Sequence, residues 1–151
     1  MLSWSNTTDD RRRMTEDRDQ LINHSFNLFN RDKMEYKFEK LDVWKISLDL
    51  SDHIYALADN LPDSEKYNLR SQIIRAVTSI SLNIAEGSTS QTDKEQSRFI
   101  GYAIRSLIEV IACLRIMERR RYLNELSVKI ETEQVAHKLF IKLQAFRSAL
   151  N

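Results

Sequence analysis

The sequence predicts an all-α protein, an antiparallel up-down-up-down four-helix bundle assembled as a homo-oligomer. Three observations carry that expectation. The 151 residues include only 2 glycines and 1 proline, where average usage would give roughly ten and seven or eight. Sheets need turns, and turns consume Gly, Pro, Asn and Asp, so a sandwich, a barrel or an alternating α/β fold is excluded. Four long stretches repeat apolar residues at steps of three and four, the spacing of one helix face. The third of them carries two apolar faces, one more than a monomeric bundle has to bury.

The helices follow in order. Val43, Ile46, Leu50, Ile54, Leu57 and Leu61 define the first, with Asp42 as its expected N-cap and Pro62 as its end. Leu69, Ile73, Ala76, Val77, Ile80 and Ile84 define the second, expected from Glu65 to Glu86, with Gly87 as a left-handed C-cap. A polar loop covers 88–92. Thr92 and Glu95 then form a T-x-x-E capping box that opens the third helix, expected from Asp93 to Arg120. Its first stripe is Phe99, Ala103, Leu107, Val110, Leu114 and Met117. Its second is Ile100, Ile104, Ile108 and Ile111, the expected subunit interface. Gly101 lies inside this helix, which implies close approach of a neighbouring backbone. Asn124 is the expected N-cap of a fourth helix that ends near Leu150 and buries Val128, Val135, Leu139, Leu143, Phe146 and Leu150. Helices of this size span roughly 28 to 42 Å.

Two domains are expected, a polar extension over 1–37 and the bundle over 38–151. The extension holds seven acids and seven bases, with an apolar patch of Leu21, Ile22, Phe26, Leu28 and Phe29. It reads either as a mobile arm with a short helix, able to dock through that patch, or as a disordered extension.

Composition excludes several chemistries. A glycine-rich phosphate loop cannot be built from two distant glycines. Cys113 alone forms neither an intrachain disulfide nor a thiolate zinc site, and beside Leu114 it reads as a buried, inert thiol. His24, His53 and His137 fall in no metal-ligand spacing, and no Glu-x-x-His pair of a di-iron bundle exists. No catalytic residue, metal or cofactor is expected, and the chain reads as non-enzymatic. No apolar run reaches the roughly 20 residues of a membrane span, and the N-terminus lacks a signal-peptide core. A cytoplasmic location is expected.

Net charge is only +1 but unevenly spread. Residues 39–63 hold six acids and two bases; residues 93–121 hold seven bases and four acids. The acidic first helix could therefore meet the basic third, within the bundle or across an interface. Arg115, Arg119, Arg120 and Arg121 close the third helix. They either complement the negative helix C-terminus or form a phosphate-contacting patch. On the second helix Arg75, Ser79, Asn83 and Glu86 recur at steps of four, four and three. They form either an exposed polar stripe or a buried hydrogen-bond ladder; a small-ligand site on this ladder is a third, weaker option.

The run Ser79–Gly87 brings a family into view. Arg75, Ala76, Ser79, Asn83, Ile84, Ala85, Glu86 and Gly87 fit an R-A-x-x-S-x-x-x-N-I-A-E-G signature. Leu41, Val43 and Trp44 fit its L-x-V-W opening, and Ile54, Tyr55 and Leu57 its I-Y-x-L. Pro62, Glu65, Tyr67, Leu69 and Gln72 fit its P-x-x-E-x-Y-x-L-x-x-Q junction, and Glu95, Phe99, Ala103, Ser106 and Glu109 fit its third helix. Over about residues 38–150 the chain resembles the bacterial four-helix bundle family of 23S ribosomal RNA intervening-sequence proteins. The resemblance implies a homopentamer and kinship with the accessory variability proteins of diversity-generating retroelements. Those pentamers bind RNA and DNA and partner a reverse transcriptase. The resemblance attaches no enzymatic activity. Residues 88–92 lack the base that many relatives carry there, and Ile74 replaces a frequent Arg; both departures remove positive charge. The function expected is nucleic-acid binding through a basic surface. The alternative is an oligomeric adaptor for a protein such as a reverse transcriptase.

Overall fold

A computed structural model describes residues 18, 20–22, 35–123 and 126–151, all but the side chains of 126 and 127. The chain divides into two compact units, Met1–Glu35 and Tyr36–Asn151. In the first, Arg18, Gln20, Leu21 and Ile22 are helical and exposed. Phe26, Leu28, Phe29 and His24 lie outside the described residues.

The second unit is all-helical. Four long helices occupy Asp42–Asp59 (α1), Leu69–Gly87 (α2), Asp93–Arg119 (α3) and Leu126–Ala149 (α4), with short 3-10 turns at Lys37–Lys40 and Asp63–Glu65. Each long helix packs on two others in the cyclic order α1, α2, α3, α4, and the α2–α3 contact is the most extensive. Among the described residues no backbone contact joins α1 to α3 or α2 to α4. One apolar core therefore sits where the four inward stripes meet. Leu50, Ile54, Ile73, Ile80, Leu107 and Leu139 are fully buried there. Each such side chain contributes roughly 1.5–3 kcal/mol relative to exposure.

The inward stripes expected of α1 and α2 are all buried. α1 also buries Ser47 and α4 buries Thr132, two positions that a purely apolar count misses. Both hydroxyls bond within their own helices: Ser47 donates to the Trp44 carbonyl at 2.6 Å and Thr132 to the Val128 carbonyl at 2.7 Å. A hydroxyl satisfied this way loses the main penalty of burial.

Helix ends depart from expectation in three places, and the interior glycine has a different neighbour from the one expected. Asp42 is not the N-cap; Leu41 is, and Asp42 begins the helix and pairs with Lys142 of α4. α2 starts at Leu69 rather than Glu65, because Asp63–Glu65 closes a separate 3-10 turn and Asn68 leaves helical geometry. Gly87 is not a left-handed cap, since no glycine has a positive φ. It is the last, buried residue of α2, and a Cβ placed there would lie 2.9 Å from Phe99 Cβ. The glycine lets α2 and α3 approach. Within the chain the nearest neighbour of Gly101 is a side chain rather than a backbone, the Arg147 guanidinium, 3.2 Å from an added Cβ. Of the capping box expected at Thr92 and Glu95, the half in which the Thr92 side chain accepts from Glu95 N–H forms, at 3.2 Å. Asn124 lies outside the described residues.

Candidate nucleic-acid interface

The basic end of α3 is shaped by how that helix stops. Arg121 has φ 60°, the one positive value on a non-glycine residue among the described residues. Tyr122 N–H returns to the Met117 carbonyl and Arg121 N–H to the Glu118 carbonyl, both at 2.9 Å. Those two bonds are a Schellman cap, built here without glycine. It turns the chain and places Arg119, Arg120 and Arg121, all exposed, around the helix terminus.

The cap delivers Tyr122 to the link between α1 and α2. Its hydroxyl donates to Glu65 at 3.0 Å. Glu65 also accepts from the Asn68 side chain at 2.9 Å and from Leu69 N–H at 3.4 Å. The Tyr122 bond above all, then the Asn68 and Leu69 bonds and the Arg120 charge, hold its carboxyl below the usual range. Glu65 in turn pushes the Tyr122 hydroxyl upward. Both links thus share one end of the fold, and Arg120 lies within electrostatic reach of Glu65.

Further cations gather on the same side. Lys66, Arg70 and Arg75 line a shallow depression with Ser71 and Ile74. Arg70 is paired with Asp59 and Arg75 with the Ser71 hydroxyl at 3.4 Å. Tyr67 stands beside them, 88% exposed, with the Lys66 ammonium 5.4 Å from its ring centroid. Lys66 and Arg70 were not among the residues that sequence alone selected, and Tyr67 entered only as part of the family's junction pattern. A Tyr is ordinarily at least partly buried, and only the placement of the turn exposes this one.

Arg115 does not join this group. It pairs with Glu133 of α4 and, at 3.6 Å, with Glu118. The Glu133 bond, followed by its charge, raises the Arg115 pKa. Within the chain two acids of the first helix find partners elsewhere than α3: Asp42 meets Lys142 of α4 and Asp59 meets Arg70 of α2.

The polar residues of α2 divide. Ser79 and Asn83 are half-buried and satisfied. Asn83 donates to the Ser79 carbonyl at 2.7 Å and hydroxyl at 3.0 Å, and Ser106 of α3 donates to the same hydroxyl at 3.0 Å. Arg75 and Glu86 are exposed, and Gly87 is the packing glycine described above. Ser79 therefore ties α2 to α3 through Ser106, and Asn83 bonds back onto Ser79 within α2.

The second stripe of α3 divides as well. Ile100 and Ile104 are buried in the core of this chain, together with Val110 and Leu114. Ile108 is 49% exposed and Ile111 half-buried; they line a groove of about 250 Å³ between α3 and α4 with Phe140, Ala136 and His137. Arg147 lies against Gly101 and Asn151 accepts from Ser97, so the C-terminal end of the chain covers the start of α3, where Ile100 and Ile104 are buried. Cys113 is buried, and burial, reinforced by Glu109, raises its thiol pKa, which disfavours the reactive thiolate. Among the described residues no group of His, Cys, Asp and Glu could hold a metal ion, and no helix is long and apolar enough to cross a membrane.

The architecture defines an all-helical protein without strands among the described residues. Residues 39–140 match the family model of the 23S rRNA-intervening sequence protein, and the chain belongs to that family. A crystal structure of a protein of unknown function from the S23 ribosomal protein family of Bacteroides thetaiotaomicron VPI-5482 is similar in fold. Its TM-score is 0.63 at 22% sequence identity, covering 70% of this chain and 97% of that one. Comparison with curated proteins gives no match.

Proposed function

We propose that this protein is a non-enzymatic, oligomeric nucleic-acid-binding protein built on an antiparallel up-down-up-down four-helix bundle. The observation that carries the binding reading is the convergence of Arg119, Arg120 and Arg121 with Lys66 at one end, held by the Tyr122–Glu65 bond. Arg119 and Arg121 have no side-chain partner among the described residues, so their charge is available to phosphate. The family name, which ties it to intervening sequences of 23S ribosomal RNA, fits the same reading.

The antiparallel arrangement is supported by the pairing of α2 with α3. Gln72 bonds Glu109, Ser79 bonds Ser106, and Gly87 meets Phe99, so one helix descends as the other rises. Oligomerisation is supported by the exposed Ile108, Ile116, Ile130 and Ile141 on α3 and α4. The open apolar groove at Ile108 between α3 and α4 fits an interaction site, and the sequence signature favours a pentamer. The same groove supports the adaptor reading, in which a protein such as a reverse transcriptase occupies it. Kinship with the accessory variability proteins of diversity-generating retroelements rests on the signature around Asn83–Gly87. The single, buried Cys113 suits a reducing, cytoplasmic setting.

A titration of structured RNA and duplex DNA at several salt concentrations tests the binding. The expected result is affinity that falls linearly on a log–log plot, with a slope of about −0.9 per duplex phosphate contacted. Absence of binding at low salt overturns it. Light scattering after size exclusion tests the assembly; a clean monomer at micromolar concentration overturns the oligomer.

A further inference from the structure

We propose that Tyr67 is a base-stacking platform for single-stranded nucleic acid, with Lys66, Arg70 and Arg75 guiding the phosphate backbone past it. This rests on the nucleic-acid reading above and specifies the form of the ligand. Tyr67 is the most exposed large apolar or aromatic side chain among the described residues, at 88%. It therefore contributes little to the core. Its backbone is nevertheless firmly placed. Glu65, two residues earlier, is fixed by Tyr122, Asn68 and Leu69, and Lys66 N–H bonds the Asp63 carbonyl at 3.1 Å. The turn 66–68 thus presents a ring to solvent from a braced support. One side of the ring carries the Lys66 ammonium.

The surroundings suit a single strand. Lys66 belongs to the turn and Arg70 to the first turn of α2. With Arg75 they line one open depression whose floor includes Ile74. A positive groove beside an aromatic ring is the common arrangement for binding single strands without sequence preference. A duplex keeps its base faces stacked inside, so an isolated ring on a convex turn meets base faces only where strands are unpaired. The Asp59 carboxylate on Arg70 is an exposed partner, of the kind that a phosphate can replace at little cost.

The test uses the full chain, a labelled 20-nucleotide oligouridylate and a blunt duplex of the same length, read by fluorescence anisotropy at one low salt concentration. Wild-type protein is expected to bind the oligouridylate more tightly than the duplex. Tyr67→Ala is expected to weaken oligouridylate binding by roughly five- to a hundredfold, Tyr67→Phe to retain it, and duplex affinity to stay unchanged in both. Circular dichroism melts of both variants should match wild type, since the ring lies outside the core. Equal oligouridylate affinity for Tyr67→Ala and wild type overturns the platform and leaves the nucleic-acid reading standing, as does binding of duplex alone. Equal losses for Tyr67→Phe and Tyr67→Ala assign the effect to the hydroxyl and overturn stacking. No binding of either probe overturns both readings.

Discussion

The Tyr122 hydroxyl reaches back 57 residues to Glu65, at 3.0 Å, and joins the α1–α2 link to the α3–α4 link. This bond sets a window of pH stability. The Glu65 carboxyl lies below its ordinary value near 4.5 in the folded chain. Its contribution is complete above that ordinary value and is lost as pH falls through the folded pKa. The Tyr122 hydroxyl lies above its ordinary value near 10. Its contribution is complete below 10 and is lost as pH rises through the folded pKa. Melting temperature plotted against pH should therefore fall at both edges, and Tyr122→Phe should lower the plateau and flatten both falls. An unchanged profile in that variant would assign the pH dependence to other groups.

Arg121 holds a left-handed conformation that costs an L-residue roughly 1–2 kcal/mol. Arg121→Gly removes that cost while giving up some backbone entropy. The expected gain is about 0.5–1 kcal/mol, read as a higher urea midpoint with an unchanged m value. A lower midpoint would mean that the arginine side chain stabilises the link.

The two glycines should respond oppositely to alanine. At Gly87 a methyl group meets Phe99 Cβ at 2.9 Å, and two packed helices must separate. Overpacking costs roughly 1–3 kcal/mol, which outweighs a helix-propensity gain of about 1 kcal/mol. Gly87→Ala should destabilise. At Gly101 the obstacle is the end of the exposed Arg147 side chain, which can swing aside. Gly101→Ala should then be stabilising by up to about 1 kcal/mol. Thermal melts of the pair decide it.

Glutamate on α3 separates folding from assembly. Ile100→Glu buries a carboxylate in the core, at a cost of several kcal/mol, and should abolish cooperative unfolding. Ile108→Glu, in the half-open groove, should keep the helical circular dichroism signal and dissociate the oligomer by light scattering. Retention of the oligomer in Ile108→Glu would place the interface elsewhere.

The arginines of α3 should differ in binding. Arg119→Ala is expected to lower the magnitude of the salt slope for nucleic acid by about one. Arg115→Ala should leave that slope unchanged, because Glu133 and Glu118 already hold its guanidinium. An equal effect of both would extend the interface along α3.

The sequence by itself determined the helices and the inward faces of the first two. Val43, Ile46, Leu50 and Ile54, like Leu69, Ile73, Val77 and Ile80, are buried where their periodicity put them. Periodicity encodes these because a helix face depends only on residues a few positions apart. The family was legible too, in Asn83–Gly87 and the spaced Trp44 and Tyr55. Tertiary structure decided everything that depends on which helices are neighbours and at what height. It placed Ile100 and Ile104 inside while leaving Ile108 half open, and turned Gly87 from an expected cap into a contact with Phe99. It also drew Arg115 toward Glu133 and brought Lys66 and the exposed Tyr67 to the Arg119–Arg121 end. Those relationships span 12 to 57 residues, and the spacing of a single helix carries no information about them.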